Sequence, residues 1–183
     1  LRAPLDLKIA VCLIFLFSAF LGYISEPTLF SGRDQGSISE AAFRLAQNGQ
    51  LAFATDASKS FFEIYGEGTA LNFPGFAYTK DGDLITQFPL GYTAWLASFV
   101  ALFNIHGLAI GNAVLFFLFL FTLYNLLRAH TGAYYAFCGL ALTLFSFLPT
   151  WFAKITLSEN LALFLFTFLL WNIILFLREG KFI

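Results

Sequence analysis

The chain has 183 residues, of which 59% are hydrophobic, 20% are aromatic and only 11% are charged. Its mean hydropathy of +0.78 is too high for a soluble domain and is typical of an integral membrane protein. The net charge of -1 offers no basic surface to nucleic acid, so that class of partner is excluded. Because the sequence opens on Leu1 and contains no methionine, we interpret it as part of a longer chain.

The first apolar run follows a short polar lead that contains Arg2 and Lys8. Residues 9–24 are continuously apolar, and with flanking residues they reach the roughly 17 to 25 residues that a tilted membrane helix needs. No small-residue cleavage pattern precedes Ser25, so we predict a retained span rather than a cleaved signal peptide.

A surface helix is predicted in the long polar loop that follows, over residues 38–48. Ser37 and Glu40 have the spacing of a capping box, in which each side chain bonds the other residue's backbone amide. Apolar residues then recur with the helical period on a narrow stripe, which is typical of a helix lying on a surface.

Asp34 precedes that helix, between Arg33 and Gln35. An acid held at the membrane–water boundary beside a helix start is our first candidate for a general base. The alternative is that Asp34 only complements the helix start, where acids are common for structural reasons.

A β-hairpin is predicted later in the same loop. The tetrapeptide Lys80 to Asp83 places Asp-Gly between two β-prone runs, residues 71–79 and 84–88, which is a strong short-range hairpin signal. The loop is therefore expected to be a small folded cap.

Charge decides how many of the remaining apolar runs cross the membrane. The run at 89–103 is too short for a span. Without it, the predicted spans are 9–24, 108–127, 133–152 and 161–177. The basic residues Arg2, Lys8, Arg128, Arg178 and Lys181 then fall on one side, as the positive-inside rule requires.

We therefore predict an all-α integral membrane protein of four transmembrane helices, with the loop 25–107 on the extracytoplasmic side of the plasma (inner) membrane. That loop carries the small hairpin and two juxtamembrane helices, near 38–48 and 90–103. This topology places Asp34, Gln87 and Glu159 on one outer surface.

Glu159 begins the last apolar run, and an acid at the edge of the hydrocarbon is costly unless it is paired or functional. Lys154, five residues earlier, is its candidate ion-pair partner or a contact for an anionic headgroup. The structural alternatives are a helix N-terminal acid for Glu159 and snorkelling to the interface for Lys154.

Other chemistry finds little support in the sequence. Cys12 and Cys138 both lie in apolar runs, which favours small hydrophobic roles over a disulfide. No zinc-ligand spacing, nucleophile elbow or phosphate loop occurs. We therefore predict no required cofactor; a divalent metal held by acids stays an alternative that no motif supports.

The order of three segments resembles the N-terminal module of the GT-C glycosyltransferases, the polytopic family that includes protein O-mannosyltransferases and bacterial aminoarabinose transferase. The segments are GRDQGSISEAAFRLAQNG after the first span, QFPLGYTAWLASFVALF at the second juxtamembrane helix, and FAKITLSENLALFLF at the last span. Together they extend the resemblance over nearly all of the chain.

The resemblance implies inverting transfer of a sugar from a polyprenyl-phosphate carrier to an acceptor on the extracytoplasmic face. It implies that Asp34 activates the acceptor, that Glu159 is a second acid of the cavity and that Lys154 contacts the carrier phosphate. Arg33, Gln87 and Tyr92 are the further candidate substrate contacts.

Two other function classes compete with this interpretation. A non-catalytic scaffold with membrane-protein partners predicts that Asp34 is replaceable, with no loss beyond about 0.5 to 2 kcal/mol of cap stability. A transporter or channel is disfavoured because no predicted span carries charge in its interior.

Overall fold

The computed structural model describes residues 3–26 and 34–180, and this part of the chain is mostly helical. Its helices are α1 (Leu5–Ile24), α2 (Asp34–Asn48), α3 (Asp56–Tyr65), α4 (Leu90–Phe103), α5 (Gly107–Thr131), α6 (Ala133–Phe145), α7 (Phe147–Ala153) and α8 (Glu159–Glu179). The strands are β1 (Gly68–Thr69), β2 (Phe76–Tyr78) and β3 (Leu84–Thr86). The predicted helices near 38–48 and 90–103 correspond to α2 and α4.

Within the described residues, three helical stretches are long and apolar enough to cross a membrane: Leu5–Ile24, Leu90–Thr131 and Glu159–Arg178. The bent pair of α6 and α7 is a fourth if the two form one span. These lengths are consistent with the membrane protein that the composition predicts.

Within the predicted span over 133–152, α6 and α7 meet at a bend of 66°. The break lies at Ser146, whose backbone is extended. Pro149 accounts for it: a proline has no N–H and its ring excludes the carbonyl four residues earlier, which here belongs to Phe145. A helix that restarts at Phe147 places Pro149 in its first turn, where neither defect matters.

The described residues fall into two compact units: 3–25, 112–154 and 159–180 in the first, and 26, 34–111 and 155–158 in the second. One face of α1 supplies Ala10, Ile14 and Leu21 to the core of the first unit. The core is completed by residues of α5, α6 and α7: Phe116, Phe119, Leu120, Tyr124, Ala136, Leu140 and Ala153. Small residues such as Ala10 and Ala136 let apolar helices approach closely, which is how helices associate in lipid.

An ion pair joins α1 to α5 in the first unit. The Arg128 guanidinium donates to both carboxylate oxygens of Asp6, and the Tyr124 hydroxyl donates to Oδ2 at 3.2 Å. The polar lead predicted before residue 9 is therefore partly helical, since α1 begins at Leu5 and includes Asp6.

The second unit contains a three-stranded antiparallel sheet in the order β1-β2-β3. The predicted hairpin at Lys80 to Asp83 is confirmed, because β2 and β3 pair through Tyr78 and Leu84 around it. Gly82 has a φ of +83°, which favours glycine, and a Cβ at this position would lie 2.8 Å from the Phe62 ring of α3. Both the backbone conformation and the space available therefore require glycine in this turn. The Phe62 ring also packs on Tyr78, whose burial raises the pKa of its phenol.

A tight reversal joins α4 to α5. Asn104 ends α4 with a φ of 56°, and its side-chain oxygen accepts a hydrogen bond from the Ile105 amide at 2.8 Å. Beyond the reversal, the Trp95 indole donates to the Gly111 carbonyl at 3.1 Å. A Cβ on Gly107 would lie 2.4 Å from the Phe99 carbonyl, so only glycine permits this approach.

We predict that Gly107→Ala destabilises the protein by roughly 1 to 3 kcal/mol, because the new methyl group overlaps backbone atoms that cannot rotate away. Gly91→Ala is the matched control, since that helical position has no atom within 4 Å of the added methyl. Thermal unfolding in detergent compares the two variants. Equal melting temperatures for both would contradict the close approach of α4 and α5.

Candidate functional site

Asp34 is the first residue of α2, and its side chain is exposed. The predicted capping box is wrong, because the helix begins at Asp34 rather than at Ser37. Ser37 lies inside the helix and its hydroxyl donates to the Asp34 carbonyl at 3.3 Å. Glu40 instead accepts a hydrogen bond from Arg44 at 2.7 Å, one helical turn along.

Burial of small residues explains why α2 includes residues before Ser37, the predicted cap. The buried positions of α2 are Gly36, Ser37, Ile38, Ser39, Ala41 and Ala42. Five of these six side chains are small, so α2 can pack closely against α4 in the same unit. The first half of α2 is therefore held by packing, while the Asp34 side chain stays exposed.

Hydroxyl groups fix this buried half of α2 to two other segments. Thr156 donates to the Gln35 carbonyl at 3.1 Å, and its oxygen lies 2.6 Å from the Ser39 hydroxyl. Because a threonine hydroxyl carries one proton, Ser39 must be the donor in the second bond. On the neighbouring side, the Ser37 and Thr86 hydroxyls lie 3.4 Å apart, which ties the first turn to the end of β3.

Two of the predicted substrate contacts, Gln87 and Tyr92, lie in the second unit. Gln87 follows Thr86, its backbone amide donates to the Gly75 carbonyl at 3.1 Å, and its side chain is exposed. Tyr92 is only 2% exposed, so its ring packs inside the unit, and its role as a substrate contact stays a prediction. Arg33 lies outside the described residues.

The other two candidates belong to the first unit. Lys154 is half-buried and caps the end of α7, and Glu159 is exposed as the first residue of α8. Both therefore occupy helix ends, which is the structural alternative considered for Glu159. Their predicted roles toward a second acid and a carrier phosphate stay predictions.

Sequence reasoning missed the groups that position Asp34. Ser39, Thr86 and Thr156 are single hydroxyl residues in unremarkable segments, and no motif or spacing distinguishes them. Their importance depends on contacts between residues up to 121 positions apart along the chain. Hydroxyl-to-hydroxyl pairing at such separations leaves no periodic signal in a sequence.

The described part of the site presents the exposed Asp34 carboxylate in the first turn of α2. Within the described residues, no group of three or more His, Cys, Asp or Glu side chains has the geometry to hold a metal ion. Both cysteines are exposed and free, so they form no disulfide. A carboxylate in this position can accept a proton, and Gln87 offers an exposed amide side chain just beyond the end of β3.

Comparison with known proteins finds no matching family model, no matching curated protein and no matching solved structure.

We predict that Thr156→Val destabilises the protein by roughly 1 to 3 kcal/mol, because it leaves the Gln35 carbonyl and the Ser39 hydroxyl buried without this partner. Thr156→Ser keeps the hydroxyl and should lose less. A double-mutant cycle with Ser39→Ala, measured by unfolding in detergent, should give a coupling energy of about 0.5 to 1.5 kcal/mol. Simple additivity of the two substitutions would show that the hydroxyls do not interact.

Proposed function

We propose that this chain is the module of a membrane glycosyltransferase that moves a sugar from a polyprenyl-phosphate-linked donor to an acceptor at the extracytoplasmic face. In this proposal four spans cross the membrane, and α2 and α4 are juxtamembrane helices. The observation that carries it is the exposed carboxylate of Asp34 at the start of a helix whose first half is buried and hydrogen-bonded in place. The resemblance to GT-C glycosyltransferases supplies the reaction class.

The proposed reaction is a single displacement at the anomeric carbon. An acceptor hydroxyl attacks from the face opposite the phosphate and loses its proton to the Asp34 carboxylate. The bond between the anomeric carbon and the phosphate oxygen breaks, and polyprenyl phosphate leaves with the electron pair. The configuration inverts, and the proton later passes from Asp34 to solvent.

A carboxylate suits this role because the leaving group is good. A phosphate departs without protonation by a strong acid, so the base needs only to hold the acceptor and take a proton late. Position then matters more than basicity, since correct orientation of reactants removes much of the barrier. The contacts of Thr156 and Thr86 with the first turns of α2 supply that orientation.

Asp34→Asn should lower sugar transfer by at least about 10²-fold, the range typical of losing a general base. The measurement is transfer from a polyprenyl-phosphate-linked sugar by the full-length protein in nanodiscs. Asn keeps the size of the side chain and can still complement the helix start, so the fold is expected to survive.

Asp56→Asn is the matched control, because Asp56 is likewise exposed and the first residue of its helix, α3. It should leave transfer unchanged while altering helix-start electrostatics in the same way. If wild type transfers no sugar, or if Asp34→Asn and Asp56→Asn transfer equally well, the catalytic assignment fails. Retained folding with no dependence on Asp34 is the outcome that a non-catalytic scaffold predicts.

A further inference from the structure

A groove of about 460 Å³ runs along α1 beside α5 in the first unit. Leu7, Val11 and Phe15 line it from α1, and Phe117 lines it from α5. Ala3, Lys8 and Cys12 complete the lining. The surface that these residues expose in the groove is almost entirely apolar.

Lys8 is the charged side chain among the residues that line this groove. Asp6, two residues away, is already bonded by Arg128 and by the Tyr124 hydroxyl. Among the described residues, no acid lies within salt-bridge distance of Lys8, and its side chain is exposed. Lys8 thus lines an apolar groove and has no acidic partner among the described residues.

The dimensions match one leaflet of a bilayer. Residues 8 to 15 of α1 span about 10 Å along the helix axis at ~1.5 Å per residue. Half of a hydrocarbon core is about 15 Å thick. A chain lying in the groove with its headgroup at Lys8 would thus run through most of a leaflet, past Val11 and Cys12 to Phe15.

We propose that this groove binds an anionic glycerophospholipid, with the headgroup phosphate at Lys8 and one acyl chain along the apolar wall. Charge complementarity selects the occupant: a zwitterionic lipid brings its own cation and gains less from Lys8. The positive charge near the N-terminal end of α1 also suits the cytoplasmic leaflet, where anionic lipids attract basic residues. This site is independent of the proposed glycosyl transfer at Asp34.

Photocrosslinking in nanodiscs tests the proposal. The probes are phosphatidylglycerol and phosphatidylcholine, each with a diazirine in one acyl chain, and mass spectrometry locates the adducts on the full-length protein. On the α1 peptide we expect about a fivefold excess of phosphatidylglycerol adducts, the preference that one lysine near the membrane surface supports. The lipid-facing side of α8, where Phe166 and Leu169 are exposed, should show a ratio near one.

Two variants separate charge from shape. Lys8→Gln should bring the α1 ratio close to one, and Cys12→Trp should abolish the excess by filling the groove. Cys138→Trp is the matched control, because Cys138 is also an exposed cysteine but does not line the groove. Equal labelling by both lipids in wild type, an excess that survives Lys8→Gln, or the absence of adducts on α1 would each overturn the proposal.

Discussion

The structure of the second unit depends on how the first half of α2 is held. Small side chains bring this half close to α4, and the hydroxyls of Thr156 and Thr86 bond to it from two other segments. Each buried hydrogen bond contributes only about 0.5 to 1.5 kcal/mol, but breaking one leaves a polar group unsatisfied at greater cost. The packing against α4 and these hydrogen bonds therefore fix the position of α2, and with it the position of the Asp34 carboxylate.

Much of this architecture is predictable because long apolar runs and turn residues are local signals. The runs that became α1, α5 and α8 are visible from composition alone, and Asp-Gly at residues 81–82 located the β2–β3 hairpin. The start of α2 was not predictable in the same way. Ser37 and Glu40 have a capping-box spacing, yet packing against α4 buries Ser37 within the helix, and a tertiary contact outweighed the local preference.

Two other differences have the same origin. Pro149 sits late in an apolar run, so hydropathy did not show that the backbone of the predicted span over 133–152 breaks at Ser146. Asp6 looked like part of a polar lead, yet Arg128, more than 120 residues away, binds it and lets α1 begin at Leu5. In both cases, hydropathy averaged over a window of residues hides the effect that a single residue, Pro149 or Asp6, has on the backbone.

The measurement that tests the anchoring of α2 most directly is backbone hydrogen exchange of the protein in nanodiscs. Amides at residues 38–42 should exchange far more slowly than those of the exposed segment 47–50, and Thr156→Val should speed exchange at 38–42 while leaving α3 unchanged. This pattern is expected if buried contacts hold the first turns of the helix. Exchange at 38–42 as fast as at 47–50 would contradict the account, since a frayed helix start cannot hold Asp34 in one place.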